Sequence, residues 1–150
     1  MKKIIDPVDP ALIMAELTED KHIRDTNNGR KKIYIITHFD SPNTMLELGR
    51  LREVSFRDAG GGTGKEVDID EFDTDPETPF KQLIGWSPQD KTMIGGYRFL
   101  EGEKMRRTPD GGYFTPTAQL FQLSDCFIND YLPYTIELGR SFVQPEYQPS

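Results

Sequence analysis

Apolar and polar positions alternate along this chain in short blocks, each bounded by proline, glycine or a residue able to cap a helix. Asp9-Pro10 couples an N-cap acceptor to a proline in the first turn, and Leu12, Ile13, Glu16 and Leu17 continue as a short amphipathic helix. His22 to Lys32 is polar, with turn chemistry at Asn27-Asn28-Gly29, and the β-branched run from Lys32 to Thr37 predicts a strand. Ser41-Pro42 repeats the cap-plus-proline signal ahead of a longer helix reaching about Arg57. Met45, Leu48, Leu51 and Ser55 form its stripe, with Arg52 and Phe56 projecting together at i,i+4 spacing. Glu53 and Arg57 read as an exposed pair on its solvated side.

Beyond that helix the pattern breaks into loops and a hairpin. Ala59-Gly-Gly-Gly-Thr-Gly-Lys65 fails as a phosphate loop, because Ala59 stands at the first glycine position, Glu66 replaces the Ser/Thr, and a helix precedes it. It reads as a flexible connection. Asp68, Asp70 and Asp73 follow in an acidic segment that lacks the glycine and closing glutamate of a calcium loop and places Phe72 at a ligand position. Residues 80–86 and 92–99 predict two strands joined through Ser87 to Lys91, and Arg98 sits in apolar company in the second. Gly95-Gly96 marks a bulge or a close approach by backbone or ligand. Residues 102–117 are loop-rich, and Ser124 opens a short helix with Phe127, Ile128, Tyr131 and Leu132 on one face. The order of helix, strand, helix, acidic loop, hairpin, loop, short helix and strand makes an α/β or α+β fold, with helices covering a mostly antiparallel sheet.

The last stretch, Tyr134 to Tyr147, carries Glu137 and Arg140 inside an apolar strand. Regular alternation would point them to opposite faces, and a bulge at Gly139 would bring them onto one. Charged groups in a strand are costly unless paired or used. A structural ion pair and a site acid or base on a rigid element both remain open.

Composition narrows the classes. With 150 residues the chain is one domain's worth, and a net charge of −7 opposes general nucleic-acid binding. One cysteine, Cys126, excludes an internal disulfide and reads as a buried small hydrophobe. Two histidines without a cysteine cluster give no zinc site. The N-terminus has no apolar signal core and no apolar run is long enough to cross a bilayer, so the expected compartment is cytoplasmic.

Five motifs, in order over residues 45–147, carry a family resemblance. Arg52 and Phe56 match a helical Arg-x-x-x-Phe. Asp68, Asp70 and Asp73 match Glu-x-Asp-x-x-Asp, with aspartate in the first place. Arg98 matches the sheet arginine of Val-Gly-x-x-Arg, and Glu137 with Arg140 matches Glu-x-x-Arg. The fifth motif is the glycine run, with the Arg-Ser-Phe-Val-Gln-Pro-Glu-Tyr ending beside it. The set resembles the acyl-homoserine-lactone synthases. It is still more similar to the enzymes, some labelled haemolysin-like, that N-acylate amino acids to make lyso-ornithine or glycine lipids. All are variants of the GNAT N-acyltransferase fold.

This resemblance implies a single GNAT-like domain over residues 1–150 whose C-terminal, thioester-binding half lies past Ser150, with activity of the piece alone in question. It implies transfer of a fatty acyl group from acyl carrier protein to an amino acid's amine, an acyl thioester as co-substrate, no bound cofactor and no metal. Glu137 would be the general base, and Arg52, Arg98 and Arg140 would face Asp70 and Asp73 in an ionic cluster, catalytic or architectural. Asp68 would contact substrate, while Phe56, Phe99 and Phe121 would line the acyl pocket or serve as plain core. Peripheral contact with the inner membrane face and self-association through the strand at 135–143 fit the same reading. The alternatives are an acetyl-CoA-dependent N-acetyltransferase and a non-catalytic binding module.

Overall fold

Proline-led helices and β-branched runs assemble into an antiparallel meander in a computed structural model that describes residues 1–149. Helix α1 (Pro10–Glu16) starts where Asp9 accepts a hydrogen bond from the Ala11 N–H, and helix α2 (Pro42–Asp58) follows Ser41. The Ser41 side chain does not cap α2. Glu16, at the end of α1, takes that role, accepting from the Asn43 and Thr44 N–H groups at 2.9 and 2.7 Å. A carboxylate at a helix N-terminus meets both the free N–H groups and the positive end of the dipole.

The five strands are β1 (His22–Asp25), β2 (Lys32–Ile36), β3 (Lys81–Ser87), β4 (Thr92–Glu101) and β5 (Ile136–Val143), each antiparallel to the next in chain order. Alternation along them sends Ile36, Ile84, Trp86, Met93 and Phe142 to one face. There they pack with Met45, Leu48 and Leu51 of α2 and Ile13 of α1. Phe72, Phe80 and Leu100 form a smaller second core. On the opposite face Ile33, Leu83, Ile94 and Tyr97 stay half-buried around an open cleft of about 350 Å³.

The acidic segment is helical where a loop was expected, as α3 (Glu71–Thr74), and residues 102–117 contain the start of a further short helix, α4 (Pro116–Leu120). The polar stretch after residue 21 supplies β1, whose side chains are mostly exposed, so it lacks the apolar alternation that marks a strand in sequence. Cys126 is exposed instead of buried, because it lies on the solvent side of the short helical segment at 125–131. Glu53 is likewise misjudged by periodicity: it is fully buried, because the glycine run folds back over it.

The bulge in β5 falls one residue later than expected. Arg98 pairs with Gly139 and Gly96 with Phe142, so Arg140 and Ser141 together oppose Tyr97. Arg140 takes a left-handed φ of 52° there. Glu137 and Arg140 consequently share the covered side of the sheet while Ser141 faces the other. The strands approach closely at this point. A Cβ on Gly95 would strike the Phe142 backbone and one on Gly96 the Leu83 backbone, which is the requirement behind the Gly95-Gly96 pair.

Candidate active site

Six charged side chains, most of them buried, meet where α2, α3, β4 and β5 converge. Asp70-Glu-Phe-Asp73 has the spacing of a reciprocal capping box: Asp70 Oδ1 accepts from the Phe72 and Asp73 N–H groups, and Asp73 Oδ2 accepts from the Asp70 N–H. This box fixes both carboxylates in front of three arginines. Arg52 donates from Nη1 to Asp73 Oδ2 at 3.1 Å and from Nη2 to Gln82 Oε1 at 2.5 Å, while Gln82 donates to Asp73 Oδ1 at 2.8 Å. Arg98 Nη1 lies 2.6 Å from Asp70 Oδ1 and 3.2 Å from Asp73 Oδ2, with its guanidinium over the Phe72 and Phe80 rings. Arg140 Nε lies 3.0 Å from Asp68 Oδ2, and its Nη2 is 3.6 Å from Asp70 Oδ2.

Three arginines against three aspartates balance the charge, the condition under which buried ions are tolerated. Burial tends to raise the Asp70 carboxyl, but the Arg98 hydrogen bond and the Arg98 and Arg140 charges outweigh it and hold it below the usual range. Arg98 moves up, since Asp70 and Asp73 overcome its burial. Burial pushes Arg52 down, with Asp73 opposing. Asp68 departs from its neighbours: burial pushes its carboxyl up despite the opposing charges of Arg140 and Arg52.

Glu137 stands apart from this cluster and does not pair with Arg140. Its Oε1 accepts from the Thr117 N–H at 3.0 Å and the Thr117 hydroxyl at 2.7 Å, at the start of α4. Beside it opens a cleft of about 270 Å³ whose apolar wall includes Met105, Leu123, Phe127, Leu132 and Leu138. A second cleft, of about 450 Å³, lies between Phe56, the glycine loop at Ala59 and Gly61 to Thr63, Asp68 and Arg140.

The expected aromatic pocket does not form. Phe56 packs edge-on against Phe142, with ring centroids 6.5 Å apart, on the covered face. Phe99 alternates away from Arg98 to the opposite face, beside Tyr97 and under Lys81 Nζ. Phe121 follows the end of α4 and is 67% exposed. The three rings belong to three separate places, so no single pocket holds them.

Two further residues escaped the sequence reading. Gln82 joins Arg52 to Asp73, and its polar side chain at an inward position between Phe80 and Ile84 was the available signal. Glu53 holds the glycine loop, accepting from the Thr63 N–H and hydroxyl at 2.9 and 2.6 Å, from the Gly64 N–H at 2.8 Å and from Arg57 Nε at 2.6 Å. The Thr63 and Gly64 N–H groups thus face an internal carboxylate while those of Gly60 and Gly61 donate to α2 carbonyls, which leaves no phosphate cradle. Among the described residues no group of three or more metal-ligating side chains comes together, and no helix is long and apolar enough to cross a membrane.

A meandering sheet with helices on one face, and buried charges meeting at its last two strands, defines a class that comparison makes explicit. Residues 51–150 match the family model described as an acetyltransferase (GNAT) domain, and the chain belongs to that family. It is 51% identical over 148 residues, 99% of its length and 45% of the relative's, to a glycine N(alpha)-acyltransferase of Phocaeicola vulgatus. It is 55% identical over 148 residues, again 99% of its length and 44% of the relative's, to a protein of the same name from Bacteroides thetaiotaomicron. The chain therefore spans less than half the length of these relatives. No solved structure matches it significantly.

Proposed function

We propose that this chain forms the acceptor-side part of an N-acyltransferase that moves a fatty acyl group from an acyl carrier protein thioester to the α-amine of glycine. The observation that carries the reading is Glu137, a carboxylate with one oxygen held by Thr117 at the mouth of an apolar cleft. The names of the two relatives supply the acceptor. In the step itself the amine loses a proton to Glu137, directly or through water, and its nitrogen attacks the thioester carbonyl carbon. The C–S bond then breaks, and the thiolate leaves and is protonated to the carrier's thiol. Backbone N–H groups near the β5 bulge would face the oxyanion. The ionic cluster holds β4, β5 and the acidic segment in register for this work, and chain following β5 would hold the pantetheine arm. The product, an N-acylated amino acid, is a lyso-aminolipid that would pass to the inner membrane face.

The family model's description as an acetyltransferase favours a second reading, acetyl transfer from acetyl-CoA to a small amine. One experiment separates the two. The full-length protein is given carrier protein loaded with a long acyl chain and a panel of free amino acids, and N-acyl products are read by mass spectrometry. N-acylglycine is expected. Turnover from acetyl-CoA alone would transfer the assignment to the second reading, and silence from both donors would leave a binding module. Glu137→Gln should lower kcat by about 10²–10⁴-fold, and unchanged transfer would remove Glu137 from the base role.

A further inference from the structure

Asp68 and Arg140 touch each other yet leave their hydrogen-bonding capacity unused. The Asp68 side chain is 2% exposed, and no described group donates an aligned hydrogen bond to its Oδ2. Arg140 Nε is 3.0 Å away but off the line an N–H bond needs, so that nitrogen is also without a partner. Arg140 Nη2 stands 3.6 Å from Asp70, beyond a direct hydrogen bond. Buried carboxylates nearly always have donors, and an unmet one costs free energy. Asp70 and Asp73, two and five residues along, are both satisfied.

Asp68 and Arg140 both line the 450 Å³ cleft walled by Phe56 and the glycine loop. The cleft is held in shape from each side. Glu53 pins the loop, where Gly62 has φ +93° and a Cβ would come within 2.8 Å of the Arg57 side chain. On the other side the left-handed backbone at Arg140, costly for a residue with a Cβ, swings its guanidinium to Asp68. A carboxylate and a guanidinium side by side on one cleft wall complement a ligand with an ammonium and a carboxylate on one short frame. An ammonium brings three donors to the aspartate, and a carboxylate accepts from a guanidinium.

We propose that this cleft is the acceptor subsite, where Asp68 receives the α-ammonium and Arg140 the α-carboxylate of a free amino acid. The inference rests on the reading of the chain as an amino-acid N-acyltransferase and adds the residues that select the acceptor. Burial, helped by the charges of Asp73 and Asp70, already raises the Asp68 carboxyl against Arg140 and Arg52, and an arriving ammonium supplies further charge that favours its ionised form. Asp68 and Arg140 thereby set where the acceptor lies.

The test uses the full-length protein and equilibrium dialysis of radiolabelled glycine without thioester, alongside steady-state kinetics. Asp68→Asn and Arg140→Met should each weaken glycine binding by about tenfold or more, and raise its KM equally, with the KM for thioester unchanged. Wild type should prefer glycine to glycinamide, which lacks the carboxylate, by about tenfold in kcat/KM, and Arg140→Met should erase that preference. Glycine affinity within about twofold of wild type in both variants would overturn the assignment. Should a variant fail to fold, competition on the wild type decides: glycinamide displacing labelled glycine as well as glycine does would also overturn it. Glycine binding without any N-acylglycine formed would keep this subsite and reject the transferase reading, so the two fail separately.

Discussion

A single buried glutamate decides what the glycine run is. Glu53 lies on the α2 surface that helical periodicity assigns to solvent, yet it collects N–H and hydroxyl donors from Thr63 and Gly64 and one from Arg57. Burial works against its charge, but these hydrogen bonds prevail and lower its pKa from 4.5 to about 2. A depressed carboxylate stabilises the fold fully above its unfolded pKa, and that contribution disappears as pH falls through the folded value. Glu53→Gln should therefore lower the melting temperature near neutral pH, with the gap to wild type closing between about pH 4.5 and 2. Thermal unfolding followed by circular dichroism over that range checks it. A gap that stays constant with pH would mean the charge on Glu53 is not what holds the loop.

At the level of elements, the bulge in β5 controls which side of the sheet Arg140 serves. Two residues, Arg140 and Ser141, stand opposite one, Tyr97. Deleting Ser141 would restore plain alternation, keep Phe142 on the core face with Gly139, and turn Arg140 to the open face away from Asp68. The variant should lose glycine binding to the same extent as Arg140→Met while stability falls by only about 1–3 kcal/mol, the cost of an unpaired buried polar group. Urea unfolding and dialysis measure the two separately. Retained glycine binding would show that the bulge does not aim Arg140. The capping box of α3 works on the same principle, since a helix of four residues exists to place Asp70 and Asp73 before Arg52 and Arg98.

At the scale of the whole molecule, one sheet face and the outer edge of β5 stand open among the described residues. On β5, Ile136 is 55% exposed, Leu138 63% and Val143 43%, and among the described residues the strand pairs only with β4. Apolar side chains beside free backbone N–H and C=O groups invite strand-to-strand association. A polypeptide of residues 1–150 should self-associate despite its net charge of −7, and Leu138→Lys should shift it towards monomer in sedimentation velocity. A monomeric wild-type polypeptide at high concentration would refute this.

Local rules acting over a few residues determined much of this protein within the sequence. The Asp9 cap and the prolines opening the first turns place α1 and α2, β-branched alternation places β2 to β5, and i,i+4 spacing puts Arg52 beside Phe56. Such signals depend only on neighbours along the chain. The charged residues also announced themselves there, because aspartates and arginines in apolar company must find one another or a ligand. What those residues do to each other was settled only in three dimensions. Asp68 meets Arg140 across 72 residues of sequence, Gln82 bridges Arg52 and Asp73, and Glu137 turns from Arg140 to Thr117. Burial, the direction of each hydrogen bond and the one-residue offset of the β5 bulge arise from strand pairing and packing between distant segments, and no local pattern encodes them.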